Sequence, residues 1–403
     1  MNKRIILHID VNNAFLSWTA IDRLKSGEKV DIRNRYAVIG GDEETRRGVV
    51  LAKSNLCKAS GVVTGESLYS ARRKCPYLEV YKGNRDVYKK YSDLMYNYLL
   101  EYTNIIERYS IDECFLDYTY SINLFGDPIK IAYKIKDEIK NMFGFTVNVG
   151  IGNNKLLAKM ASDFSKPNKV HTLFSDEIKE KMWILPLEDL FMLGKASASK
   201  LREMGFKTIG DIASCDVNFL IKHFKSHGKL MWEFANGIDD SDVNYMEHDA
   251  KSISASTVLS YNYSNRDEML KVMRSLAMDV GRKLRNNGMY AMNVSIWIKY
   301  SNFVKVSKQI ALENAICTDN DIFEYSVKLF DRLWNKVDYV RGLCVGVSKI
   351  RNEDVRQLSL FEMNNTKKDN KNDDKLQKVM DSIREKYGDD KIIYADMLKK
   401  NKN

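Results

Sequence analysis

Two short apolar runs in this chain are each broken by carboxylates, and that combination restricts the fold more than any other feature. Residues 4–9 (RIILHI) read as a buried strand that Asp10 closes. A second apolar stretch, residues 109–117, carries Asp112 and Glu113 side by side. Consecutive strand residues point to opposite faces, so adjacent acids share one site only where the chain turns sharply, as in a hairpin. Carboxylates gathered in this way repel, and one stays protonated unless a cation compensates. The chemistry that wants such a cluster is a pair of Mg²⁺ ions about 3.5–4 Å apart, activating a hydroxyl and stabilising a leaving phosphate. Taken alone, Asp112-Glu113 is more often an exposed turn.

The spacing of apolar residues predicts what surrounds these runs. Helices are expected over 12–25, 55–60, 65–74, 87–102, 129–142 and 155–164, and strands over 36–39, 105–117 and 146–151. Alternating strands and helices around one sheet make an α/β or α+β domain of about 170 residues. Residues 185–235 read as all helical, with 187–195 and 201–210 as two short helices joined by a Gly turn at Gly194. Such a turn exposes backbone N–H groups that can hold a DNA phosphate without reading sequence, although an ordinary helix turn is an equal reading. An acidic linker, 239–249, leads to a second mixed segment, 251–351. That segment is expected to hold strands at 252–259, 293–298, 305–312 and 341–348, and helices at 268–286 and 321–336. It has 16 Lys and Arg against 9 Asp and Glu, most of the net charge of +10 carried by the whole chain. After Arg356 a polar low-complexity stretch precedes one last candidate helix, 375–386.

A length of 403 residues allows two to four domains, and 44% apolar content argues against wholesale disorder. No apolar run approaches the roughly 18 residues of a membrane span. Six cysteines without a CxxC pair suggest neither a zinc site nor a disulfide framework, so a cytoplasmic protein with reduced thiols is expected. The basic balance makes a polyanion partner plausible. Asn12, Asn13, Ala14 and Phe15 open the helix after Asp10, and its free N–H groups form a natural triphosphate cradle. Lys58 and Lys166 are candidate cations for that cradle; for Lys155 and Lys159 a solvated face is as good a reading as a role.

Taken in order and spacing, HIDVNNAF, SIDECFLD and GIGNNKLLAKMASDFSKPN resemble the three palm signatures of the Y-family translesion DNA polymerases, and the resemblance extends over about residues 1–361. It implies a multidomain right hand, α/β and α+β in class: palm (1–26 and 77–170), small fingers (27–76), helical thumb (171–238), linker (239–250), little finger (251–351) and a tail (352–403). It implies a template-directed, low-fidelity polymerase transferring nucleotides from dNTP to a primer 3′-OH, with two Mg²⁺ ions held by Asp10, Asp112, Glu113 and the Val11 carbonyl. Phe15 matches the aromatic gate against a ribose 2′-OH, Asn13 and Ala14 lie in the nucleotide cradle, and Lys58 and Lys166 match triphosphate-binding cations. Four positions depart from the pattern. Asn12 stands where many members have a second Asp, Asn55 where many have a phosphate-binding Tyr, and Lys195-Ala196 where a second Gly is usual. Val49 and Leu51 are larger than the usual residues over the nascent base pair.

Gln357, Leu358, Leu360 and Phe361 resemble the bacterial sliding-clamp-binding peptide, although a last strand would suit the pentapeptide alone. Expected partners are therefore primer-template DNA, dNTP and a sliding clamp, with no membrane and a monomeric chain. Two alternatives stand beside this reading. Gly40-Gly41-Asp42-Glu43 spells the GGDE of diguanylate-cyclase-type enzymes, but the residues that follow, and some 230 residues beyond the palm, do not suit a cyclase. A non-catalytic, clamp-tethered DNA-binding protein is the other, opposed by the presence of all three carboxylates.

Overall fold

The computed structural model describes residues 4–41, 48–246, 250–352, 370–388, 391, 392 and 394. They fall into two compact units, divided near residue 248. The first begins with β1 (Ile6–Val11), α1 (Ala14–Lys25), β2 (Ala37–Gly40), β3 (Val50–Lys53), α2 (Asn55–Ala59), α3 (Leu68–Lys74), β4 (Glu79–Lys82) and α4 (Arg85–Leu99). It continues through β5 (Ile106–Arg108), β6 (Glu113–Asp117), α5 (Ile122–Phe125), α6 (Pro128–Phe143), β7 (Val147–Gly152), α7 (Lys155–Asp163) and β8 (Val170–Leu173). Five short helices close it: α8 (Ile178–Lys181), α9 (Lys195–Glu203), α10 (Ile209–Ser214), α11 (Val217–Phe224) and α12 (Ser226–Ala235).

The central sheet runs in the order β5-β6-β1-β7-β8, antiparallel except for the parallel β7–β8 pair. Every residue of β1 and β7 is buried, the polar His8, Asp10 and Asn148 included. Alternation divides β1 between two layers. Leu7, Ile9 and Val11 join the large core with Trp18 of α1, Tyr91 and Met95 of α4 and Ile135 of α6. Ile6, His8 and Asp10 face the other way: Ile6 packs with Phe115 and with Ala158 of α7, and His8 meets Ser162 of α7. A smaller sheet, β3-β2-β4, carries its own apolar cluster around Val38, Val50, Cys57 and Leu68.

The sequence reading needs correction in the helical segment. Residues 187–195 are not a helix; Leu187–Asp189 forms a single 3-10 turn, and Gly194 caps the N-terminus of α9. The glycine that joins two helices is Gly205, at a φ of 94°, between α9 and α10. Strands β4 and β8 were also missed, because Glu79–Lys82 and Val170–Leu173 are short, partly polar and completed by long-range pairing with β2 and β7.

The second unit is a four-stranded antiparallel sheet in the order β11-β10-β12-β9, formed by β9 (Ser252–Tyr263), β10 (Tyr290–Tyr300), β11 (Lys305–Ile316) and β12 (Val340–Arg351). Between and after these strands run α13 (Arg266–Asn286), α14 (Asp319–Leu333) and α15 (Asn370–Tyr387). Met269, Met273, Val280 and Leu284 of α13, with Ile322 and Phe330 of α14, cover Val294, Ile296 and Ile298 of β10. The opposite strand positions include Ser254, Ser256, Trp297, Lys299, Lys305 and Gln309. No described helix is long and apolar enough to cross a membrane.

Candidate active site

Strand parity builds this site. Asp10 lies opposite Glu113 of β6 and opposite Asn148 of β7, so all three side chains leave the sheet on the α7 side. The turn between β5 and β6 is tight, with the N–H groups of Tyr109 and Ser110 both donating to the Glu113 carbonyl. This is the hairpin that adjacent acids require. Asp112 sits in its bend, and its carbonyl accepts the Val11 N–H at 3.0 Å.

Helix α7 comes unusually close because β7 presents glycine to it. A Cβ at Gly150 would lie 2.0 Å from the Ala158 carbonyl oxygen, and one at Gly152 would lie 2.6 Å from the Ala158 nitrogen. Only glycine permits that approach. It delivers Lys159 onto the carboxylates: its Nζ lies 2.7 Å from Glu113 Oε1, 3.3 Å from Asp10 Oδ2 and 3.3 Å from Asp163 Oδ2. Lys166, beyond the end of α7, reaches Asp10 Oδ1 and Asp163 Oδ1, each at 2.9 Å. Lys159 is thus a site residue rather than part of a solvated face. A lysine inside LLAKMA was the available signal, since its neighbours Leu156, Leu157, Ala158, Met160 and Ala161 are all buried.

Electrostatics follow the geometry. Burial pushes the Glu113 carboxyl above its ordinary value, with Asp10 adding to the rise and Lys159 opposing it. Burial disfavours the Lys159 ammonium too, yet Asp10, Asp163 and Glu113 together hold it above its usual range. Beneath them His8 is kept neutral, first by burial and then by Lys159 and Lys166. Its Nδ1 lies 2.8 Å from Ser162 Oγ, whose hydroxyl already donates to the Lys159 carbonyl, so Nδ1 carries the proton.

Asn12 is not an acid stand-in. Its amide donates to Asn148 Oδ1 and its oxygen accepts the Asn168 N–H, while Asn148 donates to the carbonyls of Ser162 and Ser165. These bonds fasten the chain on either side of Lys166 next to Asp10.

Asp10, Val11, Asn13, Ala14, Phe15, Lys58, Asp112 and Lys166 all line one cleft of about 590 Å³. Glu113 does not line it, and is tied to the lining Asp10 through Lys159. The N-terminus of α1 opens here without a side-chain cap, because Asn13 instead donates to the Lys53 carbonyl at 2.8 Å. The Phe15 ring is stacked on Tyr88, centroids 4.6 Å apart, and Tyr88 is itself only 4% exposed. Leu51 and Asn55 line the cleft as well, as do Arg33, Lys53 and Thr64, which the sequence reading had not singled out. Gln357, Leu358, Leu360 and Phe361 lie outside the described residues.

Among the described residues, no three carboxylate, imidazole or thiol groups are drawn close enough together to hold a metal. Asp112 is turned toward Ser110, whose hydroxyl donates to its Oδ1 at 2.7 Å. The donor set nonetheless fits a hard dication, being carboxylate and carbonyl oxygens only.

The chain is similar to known proteins over most of its length. Residues 9–163 match the impB/mucB/samB family and residues 250–360 match its C-terminal domain. The chain is 46% identical over 397 residues to DNA polymerase IV of Clostridium acetobutylicum, covering 98% of this chain and 99% of that protein. It is 34% identical over 406 residues to DNA polymerase IV 2 of Bacillus subtilis, covering 99% and 95%. Among solved structures, a Y-family DNA polymerase chimera superposes with a TM-score of 0.75 at 22% identity, covering 87% of this chain and all of the chimera.

Proposed function

The chain belongs to the impB/mucB/samB family, the Y-family DNA polymerases, and from that premise we propose that the cleft beside Asp10 is where it extends a primer. It is a translesion DNA polymerase with palm, fingers, thumb and little finger, acting on DNA and deoxynucleoside triphosphates. The observation that carries the site assignment is the convergence of Asp10, Glu113, Lys159 and Lys166 beside the uncapped start of α1.

The family uses divalent metal ions, and Asp10, Asp112, Glu113 and the Val11 carbonyl would hold two Mg²⁺ here, which would activate the primer hydroxyl and offset charge on the leaving pyrophosphate. The protein's own groups do the rest. Lys159 keeps Asp10 and Glu113 side by side by neutralising them. The N–H groups of α1, with Lys58 and Lys166, receive the triphosphate. Phe15 fills the space an extra ribose hydroxyl would need, and Tyr88 behind it blocks retreat. We assign the palm to 1–26 and 77–170, the fingers to 27–76, the thumb to 171–238 and the little finger to 251–351. The sheet positions with Ser254, Ser256, Lys299, Lys305 and Gln309 suit a phosphate backbone, being small, polar and basic. Gln357, Leu358, Leu360 and Phe361 would dock a sliding clamp, and the chain would act as a monomer.

Extension of a labelled hairpin primer with Mg²⁺ and dNTP tests this reading. Templated single-nucleotide addition is expected. A chain that binds the hairpin without extending it would be an accessory protein, and consumption of nucleotide without DNA would restore the cyclase alternative.

A further inference from the structure

Two lysines on the fingers side of the cleft stand together without a carboxylate partner among the described residues. Lys53 ends β3 and Lys58 sits on α2, and both line the cleft. Burial, and then the Lys58 charge, hold the Lys53 ammonium below its ordinary value. Among the described residues the ammonium of Lys53 donates only to the neutral Thr64 hydroxyl, at 3.0 Å. Neither lysine forms an ion pair among the described residues. Glu66 acts on Lys53 from a distance, but it is already engaged by Lys74, Ser70 and the Val63 N–H.

The backbone fixes where this charge is delivered. Leu51 and Lys53 are two residues apart on β3 and therefore face the same way, both into the cleft. The Lys53 carbonyl accepts the Asn13 amide, which ties the end of β3 to the uncapped start of α1. A helix N-terminus and two ammonium groups thus converge with no anion paired to them among the described residues. Such an arrangement is costly alone and is relieved when an anion arrives. Asn55, two positions on, lines the cleft too but is neutral.

We propose that Lys53 is a second fingers-side cation for the triphosphate of the incoming nucleotide, acting beside Lys58 in the contact that Asn55 does not supply. The inference rests on the polymerase reading of this cleft. Lys53 would bind the non-reacting end of the triphosphate, so its loss raises the nucleotide concentration required and leaves the affinity for DNA untouched.

The test compares wild type, Lys53→Met and Lys53→Arg in the full chain. Binding of inorganic tripolyphosphate is measured by calorimetry, dNTP KM and kcat by primer extension, and primer-template Kd separately. For Lys53→Met, tripolyphosphate Kd and dNTP KM should both rise about five- to tenfold, the loss expected for one charge-assisted hydrogen bond in a partly wet site. Primer-template Kd should stay within twofold, and Lys53→Arg should recover most of the loss. Tripolyphosphate binding within twofold of wild type in Lys53→Met overturns the proposal, as does an equal loss of DNA affinity, which would place Lys53 on the template. A wild type that binds tripolyphosphate through Lys53 but never extends a primer would keep the anion site and sink the polymerase reading instead.

Discussion

Each unit of this protein holds a knot of paired ions, and the two knots are built for different ends. In the first, Lys159 and Lys166 hold Asp10, Glu113 and Asp163, and the knot opens on the cleft through Asp10 and Lys166. In the second, Arg285 holds Asp319 at 2.9 Å and Asp381 at 2.7 Å, and Arg384 lies 3.5 Å from Asp319. The side chains of Arg285, Asp319 and Arg384 are at most 3% exposed. One knot keeps a solvent-facing side where a second cation or a phosphate can enter. The other is sealed, and its work is to bolt α13, α14 and α15 together. Burial and pairing alone therefore do not mark a functional site; an open side does.

The largest effects should separate the knots cleanly. Asp10→Asn removes an anionic ligand from the open knot, and nucleotide addition should fall about a thousandfold or more. Lys159 would still hold Glu113 and Asp163, so the urea midpoint should move little. Asp319→Ala should do the reverse. It strips one anion from two buried guanidiniums, a change that costs about 3–5 kcal/mol. Unfolding of the second unit should shift to lower urea, while the folded protein still adds a single nucleotide at near the normal rate. If Asp10→Asn unfolds the chain or Asp319→Ala silences it, the division between the knots is wrong.

Legibility in the sequence divides along the same line. The open knot was half visible, because Asp10 and Glu113 are out of place in the short apolar strands β1 and β6, with Asp112 beside them in the bend. Its cation was not. Lys159 becomes a partner only because Gly150 and Gly152 let α7 sink onto β7, and such a contact is a tertiary fact with no local period. Asn148 shows the same thing: it fastens the chain around Lys166 from a strand position indistinguishable by pattern from any buried polar residue. The sealed knot was invisible, since Arg285, Asp319 and Asp381 are scattered over almost a hundred positions and each reads locally as helix surface. Likewise β4 and β8 were missed because their pairing, not their composition, makes them strands.

A smaller effect sharpens what the open side selects. Phe15→Ala should raise incorporation of ribonucleotides relative to deoxynucleotides by about tenfold or more, because rejection by contact is lost while the ions are untouched. Tyr88→Ala should give a weaker version of the same change, since it removes only the backing of the ring. Matched dNTP and rNTP incorporation measures both. An unchanged ratio in Phe15→Ala would place the gate elsewhere in the cleft.

The smallest effect concerns a third ionic group, at the surface, which asks whether pairing without deep burial contributes at all. Glu66 accepts from Lys74 at 2.7 Å, from the Val63 N–H at 2.6 Å and from Ser70 at 2.8 Å. The Lys74 ammonium, and then the Val63 N–H, draw its carboxyl down to about 2. A carboxyl that is more acidic folded than unfolded stabilises the fold above its unfolded value near 4.5 and loses that contribution as pH falls toward 2. Because Lys74 is 38% exposed, screening limits the ionic share to roughly 0.5 kcal/mol. Glu66→Gln should therefore lower the thermal midpoint slightly at pH 6, and the gap from wild type should narrow at pH 3. A gap that persists unchanged at pH 3 would mean the Val63 and Ser70 hydrogen bonds, which an amide can partly keep or lose at any pH, matter more than the charge. The surface group would then differ from both knots in kind, not only in degree.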